Sequence, residues 1–219
     1  MLGSILKDLI HPRKAETAAE SGRRRVLNVG GSSKAIPIPG HYDGWEHVLF
    51  DIDRRLGADL VGDARKLGKV PPAQFDAVYC SHNLEHYYPH EVALVLHGFL
   101  HVLKPGGFAE ICVPDIQAVM QKVVQSGMGV GDVLYDSSLG PITPHDVLYG
   151  FGKEIEESGQ DYYAHKTGFT PILLRGVLDR AGFAAAFVVA APEVFEVSAF
   201  AFKSEPTAEQ RRLLKLPAA

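Results

Sequence analysis

Five consecutive residues, His82-Asn83-Leu84-Glu85-His86, bring together three side chains that can move protons or bind cations. Neutral imidazole predominates near pH 7 and can take a proton from a hydroxyl, so His82 and His86 are candidate general bases. Glu85 is a candidate to neutralise a cationic acceptor. The same run matches H-x-x-E-H, in which two histidines one helical turn apart bind zinc beside a glutamate base. That chemistry needs both histidines in mid-helix and a third ligand from elsewhere. Here the first histidine comes directly after an apolar run, Phe75 to Cys80, where the chain is still turning, so no metal is expected. His97 and His101 read as a pair on a solvated face, because no Cys or acid is spaced to complete a site with them.

Other candidate groups also sit where apolar runs end. Gly30-Gly31-Ser32-Ser33 follows Val26 to Val29, and small residues there let the backbone approach a ligand and point amides at an anion. Asp51 ends the run from His47 and can accept from two neighbouring hydroxyls, each charge-assisted bond contributing about 1.5–3 kcal/mol. Ile52 then offers an apolar face to a flat ring. Asp63 closes Asp59 to Gly62, placed to accept from an amino group with the Ala64 amide beside it, and Ser81 leaves the fourth run just before His82.

These runs must be held by a common frame. Four short apolar segments, a fifth from Phe108 to Val113, and helical spacing from His90 to Leu103 imply a mostly parallel sheet between helices. Lys104-Pro105-Gly106-Gly107 is expected to stop that helix. Ile116 to Gln125 reads as helix. Thr143-Pro144 and Glu154 are further starts, and Thr170-Pro171 opens a helix that Gly182 ends. Phe183 to Ala190 and Val194 to Phe202 are strands close enough to pair antiparallel, placing an antiparallel edge near the carboxyl terminus. Thr207 and Gln210 form a capping box. In such sheets ligands bind beyond the carboxyl ends of the strands, which is where the candidate groups collect.

Composition narrows the classes. The chain has 219 residues, 46% of them hydrophobic, enough for one core. A net charge of −4 gives no footprint for nucleic acid, and Arg23-Arg24-Arg25 reads as a solvated lead-in to the first strand. Cys80 and Cys112 lie inside apolar runs as buried thiols, which suits the cytoplasm. No segment approaches the ~20 apolar residues of a membrane span. Residues 1–22 are expected to form a helical arm and 23–204 the main domain. Within that domain 116–169 reads as a substrate lid carrying His145, Tyr162, Tyr163 and His165, and 205–219 as a tail with a short helix.

Taken in order, Val26-Leu27-Asn28-Val29-Gly30-Gly31, Pro39-Gly40 with Trp45, Leu49-Phe50-Asp51-Ile52-Asp53, Val61-Gly62-Asp63, Ser81 to His86, Val102 to Gly107 and Val113-Pro114-Asp115 resemble a bacterial subfamily of the class I S-adenosylmethionine-dependent methyltransferases. Gly168 to Pro171 and Ala181-Gly182-Phe183 resemble a later segment of the same superfamily. The resemblance implies a three-layer, Rossmann-like α/β fold with a seven-stranded, mostly parallel sheet and an antiparallel C-terminal strand. It implies S-adenosylmethionine as cofactor, held by Asn28, Gly30, Gly31, Ser32, Asp51, Ile52, Asp63, Ala64 and Ser81. Methyl transfer to a small molecule follows, a sugar or cell-surface precursor among the options, in a protein that could be a homodimer. Two departures stand out: the commoner pattern has an acid at Asn28 and a third glycine near Lys34, and Pro37, Pro39 and Gly40 leave no room for a full helix before Val48. A catalytically inactive protein that binds the cofactor or its demethylated product is the alternative. A nicotinamide-binding domain fits less well, because G-x-G-x-x-G is absent.

Overall fold

The computed structural model describes residues 22–137 and 140–217. The expected amino-terminal arm therefore lies, but for Gly22, outside the described residues.

Five strands run parallel: β1 (Arg25–Val29), β2 (Glu46–Asp51), β3 (Leu60–Val61), β4 (Phe75–Ser81) and β5 (Leu103–Pro114). A small hairpin, β6 (Tyr135–Ser137) with β7 (Gly140–Ile142), stands apart from them. The main sheet is completed by β8 (Ala185–Ala191) and β9 (Glu196–Phe202), giving the order β3-β2-β1-β4-β5-β9-β8. β9 is antiparallel to both of its neighbours. The antiparallel strand is thus interior, and the edge strand β8 runs in the common direction, which corrects the expectation of an antiparallel edge.

Alternation along the strands builds two cores, because successive side chains point to opposite faces. Leu27, Val78, Cys80, Ala109, Ile111 and Val113 belong to one. α1 (Pro89–Val102) lays Val92, Val95, Leu96, Phe99 and Val102 on it at helical spacing, and α5 (Pro171–Ala181) adds Leu174 and Leu178. Each such buried side chain contributes roughly 1.5–3 kcal/mol. Val26, Ala77, Phe108 and Phe202 face the other way, covered by Tyr42 in a single 3-10 turn and by Leu214 after α6 (Ala208–Leu213). This second cover is thin, because the prolines and glycines between β1 and β2 allow one turn and no helix.

α2 (Ile116–Ser126), α3 (Pro144–Tyr149) and α4 (Gly152–Ser158) carry the chain from β5 towards α5. Two local readings change. The Lys104-Pro105-Gly106-Gly107 segment is already part of β5, which begins at Leu103 as soon as α1 ends. Arg25 is buried rather than solvated: its guanidinium grips Glu46 through Nε and Nη2 at 2.9 and 3.0 Å and lies over the Phe75 ring. An arginine stem can be buried this way when the head keeps a bidentate partner.

Candidate active site

The carboxyl ends of β1, β2, β3 and β4 open on one cleft of about 800 Å³, counting the space that opens to solvent. Of the expected cofactor residues, Gly30, Ser32, Asp51, Ile52 and Asp63 line it, together with His82, His86 and Tyr163.

Asp51 is 7% exposed and is fixed by two loops. Oδ2 accepts the Ser32 amide at 3.1 Å, and Oδ1 accepts the Asp53 amide at 2.9 Å. A carboxylate oxygen can accept about two bonds, so each retains one acceptor position. Gly30 sits opposite with φ +74°, and a Cβ there would lie 2.2 Å from Asn83 Nδ2. The tight loop after β1 is therefore locked onto the loop after β4, whose His82 also has a positive φ of 48°. Ile52 is 41% exposed beside Asp51. Asp63 reaches the cleft, but its carboxylate accepts from the Arg65 amide at 2.9 Å and from its Nε and Nη2 at 2.7–3.0 Å. Arg65 in turn binds Glu91 on α1. These bonds outweigh burial and lower the Asp63 carboxyl below its usual range.

Other expected contacts fall elsewhere. Asn28 is 2% exposed in β1, its Nδ2 3.1 Å from His47 Nε2. A Cβ at Gly31 would meet its side chain at 2.1 Å, so Asn28 supports the loop from beneath. Ser81 shares the strand face of Tyr79, two residues earlier, and does not line the cleft. Ala64 is buried at 2%. His145 packs on Tyr149 with ring centroids 4.9 Å apart and is absent from the cleft wall. Tyr162 of the expected lid also lines the cleft, as do Asn83, Arg65, Tyr87, Glu91 and Lys166, which the sequence did not single out. Tyr87 and Glu91 had a signal, since they flank the start of α1. Lys166 arrives from the far end of the lid segment and had none.

The three groups of the His82 to His86 run part company. Leu84–His86 is one 3-10 turn, so the two histidines do not stack as they would in mid-helix. His82, with a side chain 54% exposed, lies between Glu196 (Nε2 to Oε2, 3.3 Å) and Glu85 (Nδ1 to Oε1, 3.6 Å). Desolvation alone would lower its pKa, but the two carboxylates prevail and push it up to about 10. Glu85 is 1% exposed, and neither carboxylate oxygen has a hydrogen-bond partner. Burial raises its pKa, yet the facing His82 outweighs that and holds it below the ordinary value. His86 and His165 meet edge to face, ring centroids 4.9 Å apart. His165 Nε2 is 4.0 Å from Glu85 Oε1, and burial lowers its pKa. His101, on α1, bonds the Val70 carbonyl at 2.8 Å, while His97 is exposed, so they do not form a solvated pair.

Residues 15–111 match a family model described as a methyltransferase domain. No curated protein matches the sequence. Among solved structures, a protein of Pyrococcus horikoshii OT3 is similar at 16% identity and a TM-score of 0.53, with 82% of each chain covered. A SAM-dependent methyltransferase from Archaeoglobus fulgidus is similar at 17% identity and a TM-score of 0.50, covering 83% of this chain and 86% of the other. A SAM-dependent methyltransferase from Methanosarcina mazei gives 14% identity and a TM-score of 0.50 over 84% and 95%. At such identities the likeness speaks for the fold. With its parallel strands in the order 3-2-1-4-5, the antiparallel β9 set between β5 and β8, and a methyltransferase-domain match reaching from before β1 into β5, the chain has the fold of the SAM-dependent methyltransferases it resembles.

Proposed function

We propose that the protein transfers a methyl group from S-adenosylmethionine to a small-molecule acceptor in this cleft. The observation that carries the reading is Asp51: a buried carboxylate, held by two backbone amides, with one acceptor position left on each oxygen at the cleft wall. Two adjacent ribose hydroxyls are the donor pair that suits it. Ile52 would lie against the adenine, and the small residues Gly30 to Ser32 would take the methionine portion. Asp63 would share its bonds to Arg65 with the adenine amino group.

S-adenosylmethionine, when bound, supplies a methyl carbon on an already activated sulfonium. The chain then has to position an acceptor and receive its proton. His82 carries its proton at neutral pH, held by Glu196 and Glu85, so it acts as a cation and not as a base. His86 is different. Its Nδ1 is 3.1 Å from the Ala164 carbonyl, an atom that can only accept, so the proton sits on Nδ1 and Nε2 keeps a lone pair. His86 lines the cleft and is the group to receive an acceptor hydroxyl. Tyr163 and Lys166 complete the acceptor side of the wall.

Calorimetric titration tests the reading. Wild type is expected to bind S-adenosylmethionine saturably, and Asp51→Ala at least tenfold more weakly. Equal affinity in the two proteins would remove Asp51 from the ribose site.

A further inference from the structure

We infer that Glu85, His86 and His165 form a binding site for one divalent transition-metal ion just behind the cleft wall, which His86 lines and the other two do not. One ligand atom from each of the three lies within 4.8 Å of the others. Around a zinc-sized ion with bonds of ~2.1 Å, neighbouring ligand atoms stand about 3.4 Å apart, so side-chain closure of up to about 1.4 Å completes the set.

Three features set this cluster apart from a chance meeting of polar groups. Glu85 is a fully buried carboxylate whose two oxygens lack hydrogen bonds. Such a group is costly to keep in a protein interior without a partner. His82, at 3.6 Å, is too distant for a hydrogen bond and answers only its charge. The histidines are also oriented as metal ligands commonly are. His86 Nδ1 donates to the Ala164 carbonyl at 3.1 Å, and His165 Nδ1 donates to the Val147 carbonyl at 2.8 Å. Each bond assigns the tautomer and leaves Nε2 as the lone-pair nitrogen, the arrangement by which backbone carbonyls orient ligating imidazoles. The His165 lone pair then faces the Glu85 carboxylate at 4.0 Å with no proton between them. A lone pair facing an anion is unfavourable, and a cation between the two resolves the conflict.

The backbone delivers these groups deliberately. The Glu85 carbonyl accepts from the amides of Lys166 and Thr167, at 2.8 and 3.2 Å, and the His165 amide donates to Tyr149. The end of the lid segment is thereby fastened to the turn after β4. Two imidazoles and one carboxylate suit zinc, iron(II), cobalt(II) or manganese(II). Of the H-x-x-E-H pattern only His86 keeps a ligand's place: His165 stands in for His82, and Glu85 is among the ligands where that pattern makes it the base.

Resting on the function proposed above, the ion and the acceptor's proton compete for the one Nε2 lone pair of His86, so bound zinc is expected to slow methyl transfer and a chelator to restore it.

The test uses full-length, tag-free protein stripped with a chelator and dialysed, then titrated with zinc chloride and, separately, cobalt(II) chloride. One equivalent per chain is expected, with affinity at least tenfold weaker in Glu85→Gln and in His165→Gln, and unchanged in His97→Ala. Zinc should raise the melting temperature of wild type and leave that of His165→Gln unmoved, which registers binding even if a variant is less stable. Absence of saturable binding by wild type, or binding retained in both ligand variants, would overturn the site. S-adenosylmethionine titrated into the metal-free protein reports on Asp51 separately, so the two readings fail independently.

Discussion

Gly30 shows how closely the cleft is tied to individual residues. A methyl at this position would fall 2.2 Å from Asn83 Nδ2 and 2.9 Å from its Cβ, on a backbone with φ +74°. Gly30→Ala is therefore expected to cost roughly 2 kcal/mol in urea unfolding, the left-handed penalty plus displacement of Asn83. It should also weaken S-adenosylmethionine binding. Adding Asn83→Ala should restore part of the stability, because the steric share disappears while the strain in φ stays. If the double variant is no more stable than Gly30→Ala, the two loops are not in contact. At this scale the sequence was informative wherever a residue ends a strand, since strand direction brings Gly30, Asp51 and Asp63 to the same rim. Asn28 was misplaced because, inside β1, its side chain turns beneath Gly31 instead of into the opening. The neighbours of Glu85 were hidden for another reason. His165 lies eighty residues further on, at the end of a segment whose path no local pattern reveals.

Among the elements, the helices that begin with a hydroxyl and a proline were the most legible, because capping is local chemistry. Thr143 caps α3 and Thr170 caps α5, each with proline next, and Thr207 with Gln210 boxes α6. Thr170→Ala should lower stability by about 1 kcal/mol, measured by thermal unfolding. The hairpin of β6 and β7 was missed because each strand is three residues long and partly exposed, too short for alternation to show. The lid segment is held to the sheet by Tyr162, whose hydroxyl donates to Asp53 at 3.1 Å. Hydrogen bonds from Arg55 lead in holding the Asp53 carboxyl down at about 2. A depressed carboxyl contributes stability above its unfolded pKa, near 4, and loses it as pH falls through the folded value. The tether should thus persist throughout neutral and mildly acidic pH and fail between about 4 and 2. Tyr162→Phe should reproduce the loose state at pH 7, seen as faster amide exchange across 152–163. Exchange that stays at the wild-type rate would show that Tyr162 is not the tether.

For the whole molecule, the sheet separates two cores of unequal weight, and the cleft lies at one end of it. α6 is fastened to the opposite end: Arg24 pairs with Glu209 just before β1, and Gln210 donates to the Gly106 carbonyl early in β5. Leu214, 6% exposed, closes the thinner core against the group that includes Phe108 and Phe202. The segment read from the sequence as a tail therefore fills a place that the missing helix between β1 and β2 leaves thinly covered. Removing this side chain empties a core with little material to collapse into the gap, and Leu214→Ala is expected to cost about 2–4 kcal/mol. Stability should fall while function in the folded fraction does not, because the change lies at the amino ends of the strands and the proposed cofactor residues at their carboxyl ends. Denaturant unfolding followed in parallel with calorimetric titration checks both halves of that statement. A fall in S-adenosylmethionine affinity matching the loss of stability would mean that the sheet transmits disorder along its strands to the cleft, and that the two ends cannot be treated as independent.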